Sequence, residues 1–264
     1  MIFDTHAHYD DEVFDADRDE LIKGFSDKNV EAVVNVGATF EGCLDTLKLI
    51  KEYPNVYGAL GIHPSEILPM DDEKLEFLKA ECTKNAVYNG GKIVAVGEIG
   101  LDYHYPEPSK ELQKEWFIKQ IDMAREVKLP MIVHSRDASL DTFDIMKDMK
   151  AEEVGGIVHC YSYSKEMAQR FLTLGFYFGI GGVITFKNAR KLVETVEYLP
   201  MDVMVLETDS PYLAPVPLRG ERNNSANIKY VAEKIAEIKH MDVDEVIDIT
   251  NKNAKRVYRI NADA

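Results

Sequence analysis

The sequence predicts a (β/α)₈ barrel, a TIM barrel of the α/β class. Eight short apolar runs alternate with amphipathic segments of helical length. The length of 264 residues suits one such barrel. Polar residues gather at the C-terminal ends of the runs, where barrels place their chemistry. No linker, charge block or low-complexity tract interrupts the rhythm, so residues 1–264 are expected to form a single domain.

The eight expected strands are Ile2–His8, Ala32–Ala38, Val56–His63, Ile93–Gly100, Pro130–His134, Gly156–Cys160, Phe176–Ile184 and Val203–Asp209. The clearest helix follows Ser109, whose hydroxyl suits an N-cap. Leu112, Trp116, Ile121, Ala124 and Val127 then give an apolar stripe, and Pro130 marks the end. Asp15–Asn29 reads as a helix with Leu21, Ile22 and Phe25 on one side. Two more helices are expected around Asn227–Ile238 and Val243–Tyr258. An open doubly wound sheet would usually carry a glycine-rich phosphate loop after its first strand, and here that place holds Thr5-His6-Ala7-His8.

The formal charge of −15 counts against broad, non-specific binding of polyanions, although bound cations can dominate a local field. Three cysteines, Cys43, Cys82 and Cys160, form no disulfide framework and suit a reducing cytosol. Strand alternation turns Cys160 away from the side His159 faces, so it reads as packing. The first residues show no basic segment with an apolar signal core, and the apolar stretch Phe171–Phe186 is too short to span a bilayer. A cytoplasmic protein without a membrane partner is expected.

Five of the seven histidines stand at expected strand ends: His6, His8, His63, His134 and His159. The carboxylates Glu98 and Asp209 join them, and a barrel would bring all of these together. His6 and His8 alternate along one strand, so both imidazoles face one side and can share a metal. A lone His-x-His is weak evidence, and each histidine alone is more often a satisfied core residue. Asp4 shares that face one layer deeper. It either orients a ligand histidine or serves as a local core acceptor.

Glu98 lies in an apolar run where an unpaired carboxylate is costly. The bland reading is an ion pair with an arginine such as Arg136. The role assigned here is to bridge two metal ions through its two oxygens. Arg136 shares the face of His134 and suits a phosphate or carboxylate, or else a local salt bridge. Glu207 and Asp209 share a face and would repel each other unless cations offset them. Asp209 is therefore a candidate metal ligand and general base, and Glu207 a candidate support behind the ligands. The candidate metal set is His6, His8, Glu98, His134, His159 and Asp209, with Glu98 and Asp209 also catalytic. Two divalent ions per chain are expected, Mg²⁺, Mn²⁺ or Zn²⁺. No Gly-x-Ser-x-Gly nucleophile motif is present, so a metal-activated water is the expected nucleophile.

The sequence resembles the TatD family of metal-dependent deoxyribonucleases, in the amidohydrolase superfamily. The resemblance covers nearly the whole chain. It runs through Asp4-Thr5-His6-Ala7-His8, Gly61-Ile62-His63-Pro64, Gly97-Glu98-Ile99-Gly100-Leu101-Asp102-Tyr103, His134-Ser135-Arg136, His159-Cys160 and Glu207-Thr208-Asp209-Ser210-Pro211-Tyr212-Leu213-Ala214-Pro215. It continues in Arg219-Gly220 and Thr250-x-x-Asn253-Ala254. It implies the barrel, the metal set above, and hydrolysis of DNA phosphodiesters, often from the 3′ end. It also implies that His63 and Arg136 contact the substrate phosphate. The substrate would be DNA that is single-stranded or at ends. Tyr161-Ser162-Tyr163 and Asn223-Asn224-Ser225 depart from the family pattern in loops over the barrel mouth.

Other readings stay open at this stage. The same chemistry serves an aminoacyl-tRNA deacylase, a lactonase or another amidohydrolase. Arg136, Arg219 and Arg222 near the mouth favour phosphate, and Tyr103, Tyr161, Tyr163 and Tyr212 are candidates to stack on bases. A non-catalytic barrel would have lost a ligand, and none is missing.

Overall fold

The computed structural model describes residues 1–260. Eight parallel strands form one sheet in sequential order. They are β1 (Ile2–Ala7), β2 (Val30–Val36), β3 (Val56–Leu60), β4 (Ile93–Asp102), β5 (Met131–Arg136), β6 (Gly156–Val158), β7 (Tyr177–Ile180) and β8 (Met204–Leu206). The segment after β8 closes the ring: Asp209 N donates to His6 O at 2.9 Å, and His8 N donates to Ser210 O at 2.8 Å.

Nine α-helices occur among the described residues: α1 (Arg18–Lys23), α2 (Phe40–Glu52), α3 (Asp72–Lys84), α4 (Lys110–Val127), α5 (Ser139–Asp148), α6 (Lys165–Thr173), α7 (Arg190–Tyr198), α8 (Ile228–Lys239) and α9 (Val243–Val257). Ser109 caps α4 by accepting from Leu112 N, as its position in the sequence predicts. The expected helix Asp15–Asn29 is instead α1 followed by a 3₁₀ turn at Ser26–Lys28. Gly24 separates the two, and Asn29 takes a left-handed φ of 62° that ends the segment.

The interior follows from strand alternation. Ile132 and His134, Ile157 and His159, and Val205, Glu207 and Asp209 each have the same parity along the chain, whereas β4 shifts register between Val96 and Ile99, so parity does not carry from Val94 to Glu98. Val94, Ile132, Ile157 and Val205 belong to one buried apolar cluster with Phe3, Val34, Ala59 and Tyr258. The polar members stand beyond that layer at the C-terminal ends. β1 breaks the rule, because Phe3 and His6 differ in parity. Its pairing with β2 shifts register between Asp4 and Ala7. At the C-terminal end of α9, the capping residue Tyr258 donates to Thr5 O at 2.8 Å.

Several strands are shorter than the apolar runs. β6 stops at Val158 and β8 at Leu206, so His159, Glu207 and Asp209 lie beyond the named strands, although their N–H groups still donate to Val133 O, Ile180 O and His6 O. β3 stops at Leu60, three residues before His63. Beyond two of these ends, Cys160 and Asp209 take left-handed φ values of 45° and 56°. β7 stops at Ile180, and Gly182–Thr185 form a 3₁₀ turn where strand was expected. β2 begins and ends two residues early, and β4 runs on to Asp102.

Candidate metal centre

The C-terminal end of the barrel draws the predicted residues together around Glu98, whose carboxylate is buried. Oε2 lies 3.6 Å from His6 Nε2 and 3.9 Å from His8 Nε2. Oε1 lies 2.8 Å from His134 Nδ1 and 3.4 Å from His159 Nε2. Each oxygen therefore faces its own pair of imidazoles. Asp209 Oδ1 closes the other side, 3.4 Å from His8, 3.7 Å from His6 and 4.0 Å from His159. The expected alternative for Glu98, an ion pair with Arg136, is not formed. Arg136 is exposed, with its guanidinium 5.7 Å from the centre of the Tyr105 ring.

Groups behind the histidines orient them. His8 Nδ1 donates to Val36 O at 2.8 Å, which directs Nε2 inward. His159 Nδ1 lies 3.0 Å from Glu207 Oε1, which also accepts from Cys160 N at 2.6 Å. Of the two readings open for Asp4, its contacts match the core acceptor rather than the ring acceptor. Its carboxylate accepts from His6 N, Thr208 N, Thr208 Oγ1 and Ser225 Oγ. It thus ties the backbone of His6 to the segment carrying Asp209, while His6 Nδ1 is buried without a hydrogen-bond partner.

The charges are strongly coupled. Burial disfavours charge on Glu98, but His159, His134 and His6 hold its carboxyl well below the usual range. Asp209 is held low against burial by His8, His159 and His6. Burial opposes protonation of His8 and His159, yet Asp209 lifts the first to about 9, and Glu207 with Glu98 lifts the second to about 10. His63 is pushed down to about 4 by burial and by His134.

Four imidazoles and two carboxylates converging at these distances fit divalent cations. His6 Nε2 and His8 Nε2 stand 3.1 Å apart, a separation that a shared proton satisfies and that also suits two imidazoles turned toward one cation. Groups of ligand atoms within 4.8 Å of one another are His6, His8 and Asp209; His6, Glu98 and His159; His63, Asp102 and His134; and His159, Cys160 and Glu207.

A cavity of about 640 Å³ opens onto this cluster, lined among others by His63, Asp102, Tyr105, Arg136 and Tyr212. Two of these were missed at the level of sequence. Asp102 has the parity of Glu98 in the same buried run, and that signal could have found it. Tyr105 carries no such signal, because it lies in the loop after β4.

Other expectations are corrected. Arg222 does not line the cavity, since its guanidinium pairs with Asp17. Arg219 lies over the Phe186 ring at 3.7 Å. Tyr161 is buried, Tyr163 is bonded to Ser135 and Ala138, and Tyr103 is bonded to Asp141. Cys160 escapes strand alternation because β6 has already ended, and its sulfur approaches His159 and Glu207.

A family profile described as TatD related DNase matches residues 3–259. The chain belongs to the TatD family of metal-dependent hydrolases. The Bacillus subtilis protein YabD, described as an uncharacterized metal-dependent hydrolase, is 44% identical over 261 residues, covering 99% of this chain and 100% of the relative. Escherichia coli YcfH, described in the same words, is 38% identical over 99% of this chain and 97% of its own length. The crystal structure of the Escherichia coli TatD homologue YjjV superposes with a TM-score of 0.90 at 28% identity, over 98% of both chains. A TatD family hydrolase from Entamoeba histolytica shares the fold, with a TM-score of 0.85 at 21% identity over 97% of both chains. No helix among the described residues of this TatD protein is long and apolar enough to cross a membrane.

Proposed function

We propose that this TatD protein is a deoxyribonuclease that removes nucleotides from the 3′ ends of DNA, with two divalent cations held by His6, His8, Glu98, His134, His159 and Asp209. The observation carrying the reading is the two-sided contact of Glu98, one oxygen toward His6 and His8 and the other toward His134 and His159. Cations in that set supply Lewis acidity at the phosphoryl oxygens and make water acidic enough to attack at neutral pH.

The remaining steps belong to side chains of the chain itself. Arg136 and His63 line the cavity beside the cluster and are placed to hold the phosphate. His63 stays neutral at pH 7 and its Nδ1 accepts from Ser65 N, so Nε2 is left to donate. Asp209 stays ionised, so it can take a proton from the attacking water. Attack at phosphorus breaks the bond to the 3′ oxygen of the preceding nucleotide. That oxygen receives the proton, and a 5′ mononucleotide leaves.

The cavity of about 640 Å³ suits one nucleotide rather than a duplex. Three free cysteines agree with a reducing cytoplasm. A second reading, hydrolysis of an uncharged ester such as a lactone, draws support from Asp10, Asp11 and Glu66 on the cavity wall, which repel phosphate.

The test strips the protein of metal and restores Mg²⁺, Mn²⁺ or Zn²⁺ separately, with labelled single-stranded DNA and an Asp209→Asn control. Stepwise loss of 3′ nucleotides that vanishes in the variant supports the nuclease. No cleavage with any metal, despite bound cations, rejects DNA and directs the search to esters.

A further inference from the structure

His134 is held between two carboxylates. Nδ1 lies 2.8 Å from Glu98 Oε1, and Nε2 lies 3.1 Å from Asp102 Oδ2. A neutral imidazole has one N–H and one lone pair, and only the lone pair can serve a cation. The nitrogen that carries the proton therefore decides whether His134 can be a ligand beside Glu98.

We propose that Asp102 is a positioning residue for the metal centre: its carboxylate accepts the Nε2 proton of His134 and so presents the Nδ1 lone pair to a cation. This rests on the reading of His134 as a ligand, but not on the choice of DNA as substrate.

Asp102 is firmly placed for this task. It ends β4, four residues after Glu98, and pairs in register with Arg136 of β5. Buried Gln113 pins its peptide from both sides, accepting from Asp102 N at 2.8 Å and donating to Asp102 O at 2.9 Å. Oδ1 accepts from His104 N at 2.9 Å, which leaves Oδ2 to meet His134. A carboxylate fixed at both its backbone and one oxygen has little freedom to move away from the ring.

The other imidazole facing Glu98 Oε1 repeats the pattern with its nitrogens exchanged. His159 turns Nε2 inward, and its Nδ1 has Glu207 Oε1 behind it at 3.0 Å, an ion-pair approach without hydrogen-bond alignment. A carboxylate behind a ligand imidazole fixes its tautomer and raises its basicity. Both histidines on this side of Glu98 have one. On the opposite side, His8 has only the neutral carbonyl of Val36. The same cluster permits a rival role for Asp102. Its carboxylate, His63 and His134 offer ligand atoms within 4.8 Å of one another, so Asp102 could bind a further cation directly.

The experiment titrates metal-stripped wild type and Asp102→Asn with Mn²⁺ by calorimetry, and reads the His134 tautomer by nitrogen NMR in the Zn²⁺-loaded wild type. The expected result is two cations in the wild type, one of them bound about 10–100-fold more weakly in the variant and the other unchanged. The NMR should place the proton on Nε2. The NMR arm stands even if the variant does not fold. Unchanged affinities in a folded variant, or a proton on Nδ1, would overturn the proposal. Three cations in the wild type falling to two would also overturn it, by making Asp102 a ligand itself. A wild type that binds no cation removes the metal centre and the proposal together. Failure to cleave DNA with both cations bound leaves Asp102 in place and rejects only the substrate.

Discussion

Nε2 of His6 and Nε2 of His8 face each other across 3.1 Å. Two imidazole nitrogens so close need a cation or a proton between them, and the nearest oxygens, on Glu98 and Asp209, lie 3.4–3.9 Å away. Divalent metal should therefore stabilise the folded protein. At 100 times its dissociation constant, a cation adds about 2.7 kcal/mol. Thermal unfolding of the metal-stripped protein should shift upward when Mn²⁺ or Zn²⁺ is restored, and the shift should shrink strongly in His6→Ala. An equal shift in both proteins would argue that the cation binds elsewhere.

The metal-free protein should lose stability as pH rises above neutrality. His8 and His159 have folded-state values of about 9 and about 10, above the ordinary imidazole value of 6.5. A group raised in this way binds more protons folded than unfolded, so its contribution is complete below 6.5 and fades through 9 to 10. Urea midpoints measured at pH 7 and pH 10 should fall without metal. They should fall less with metal, because the cation replaces those protons and releases them on binding. A flat profile in the metal-free protein would contradict the charge coupling described here.

Asp209→Asn should lower kcat on a single-stranded oligonucleotide by about 10²–10⁴-fold, the usual worth of a positioned proton acceptor. Asp209 Oδ1 lies within 4.0 Å of His6, His8 and His159, so metal affinity should drop as well. Assays at saturating metal separate the two effects, and an unchanged kcat there would remove Asp209 from the chemistry.

Tyr105 and Tyr212 are exposed and line the same cavity, while Asp10, Asp11 and Glu66 leave its wall short of positive charge. Binding of a strand should then rest more on stacking than on phosphate contacts. Replacing either tyrosine with alanine should raise KM by about fivefold or more, since stacking is worth about 1–3 kcal/mol per base. The slope of log KM against log salt should stay shallow. A steep salt dependence together with an unchanged KM in both variants would assign recognition to the backbone instead.

Gly179 makes room for Glu207. A Cβ at that position would lie 2.0 Å from Glu207 Oε2, so Gly179→Ala must push the carboxylate away from His159. Overpacking of this kind costs about 1–3 kcal/mol. The variant should melt earlier and bind metal more weakly. Glu207→Gln should weaken metal binding with a smaller loss of stability. If Gly179→Ala binds metal as the wild type does, Glu207 has no part in holding His159.

The barrel was legible in the sequence because buried parallel strands need continuous apolar runs, and eight such runs set its rhythm. The six candidate ligands were legible for a related reason: a charged or titratable side chain in an apolar run is costly unless something compensates it. Local pattern does not report where a ladder ends. β6 and β8 stop before His159 and Asp209, and the left-handed conformations of Cys160 and Asp209 carry no signature in the local pattern. The same limit separates Arg136, at the cavity, from Arg222, which is held by Asp17. It also separates Tyr105 and Tyr212 from the buried Tyr161. Alternation and hydrophobicity are properties of neighbouring residues, so the sequence by itself determined the strands and the residue types at their ends. Which nitrogen faces which oxygen depends on loops closing over the barrel from positions up to about two hundred residues apart, and only the tertiary structure decided that.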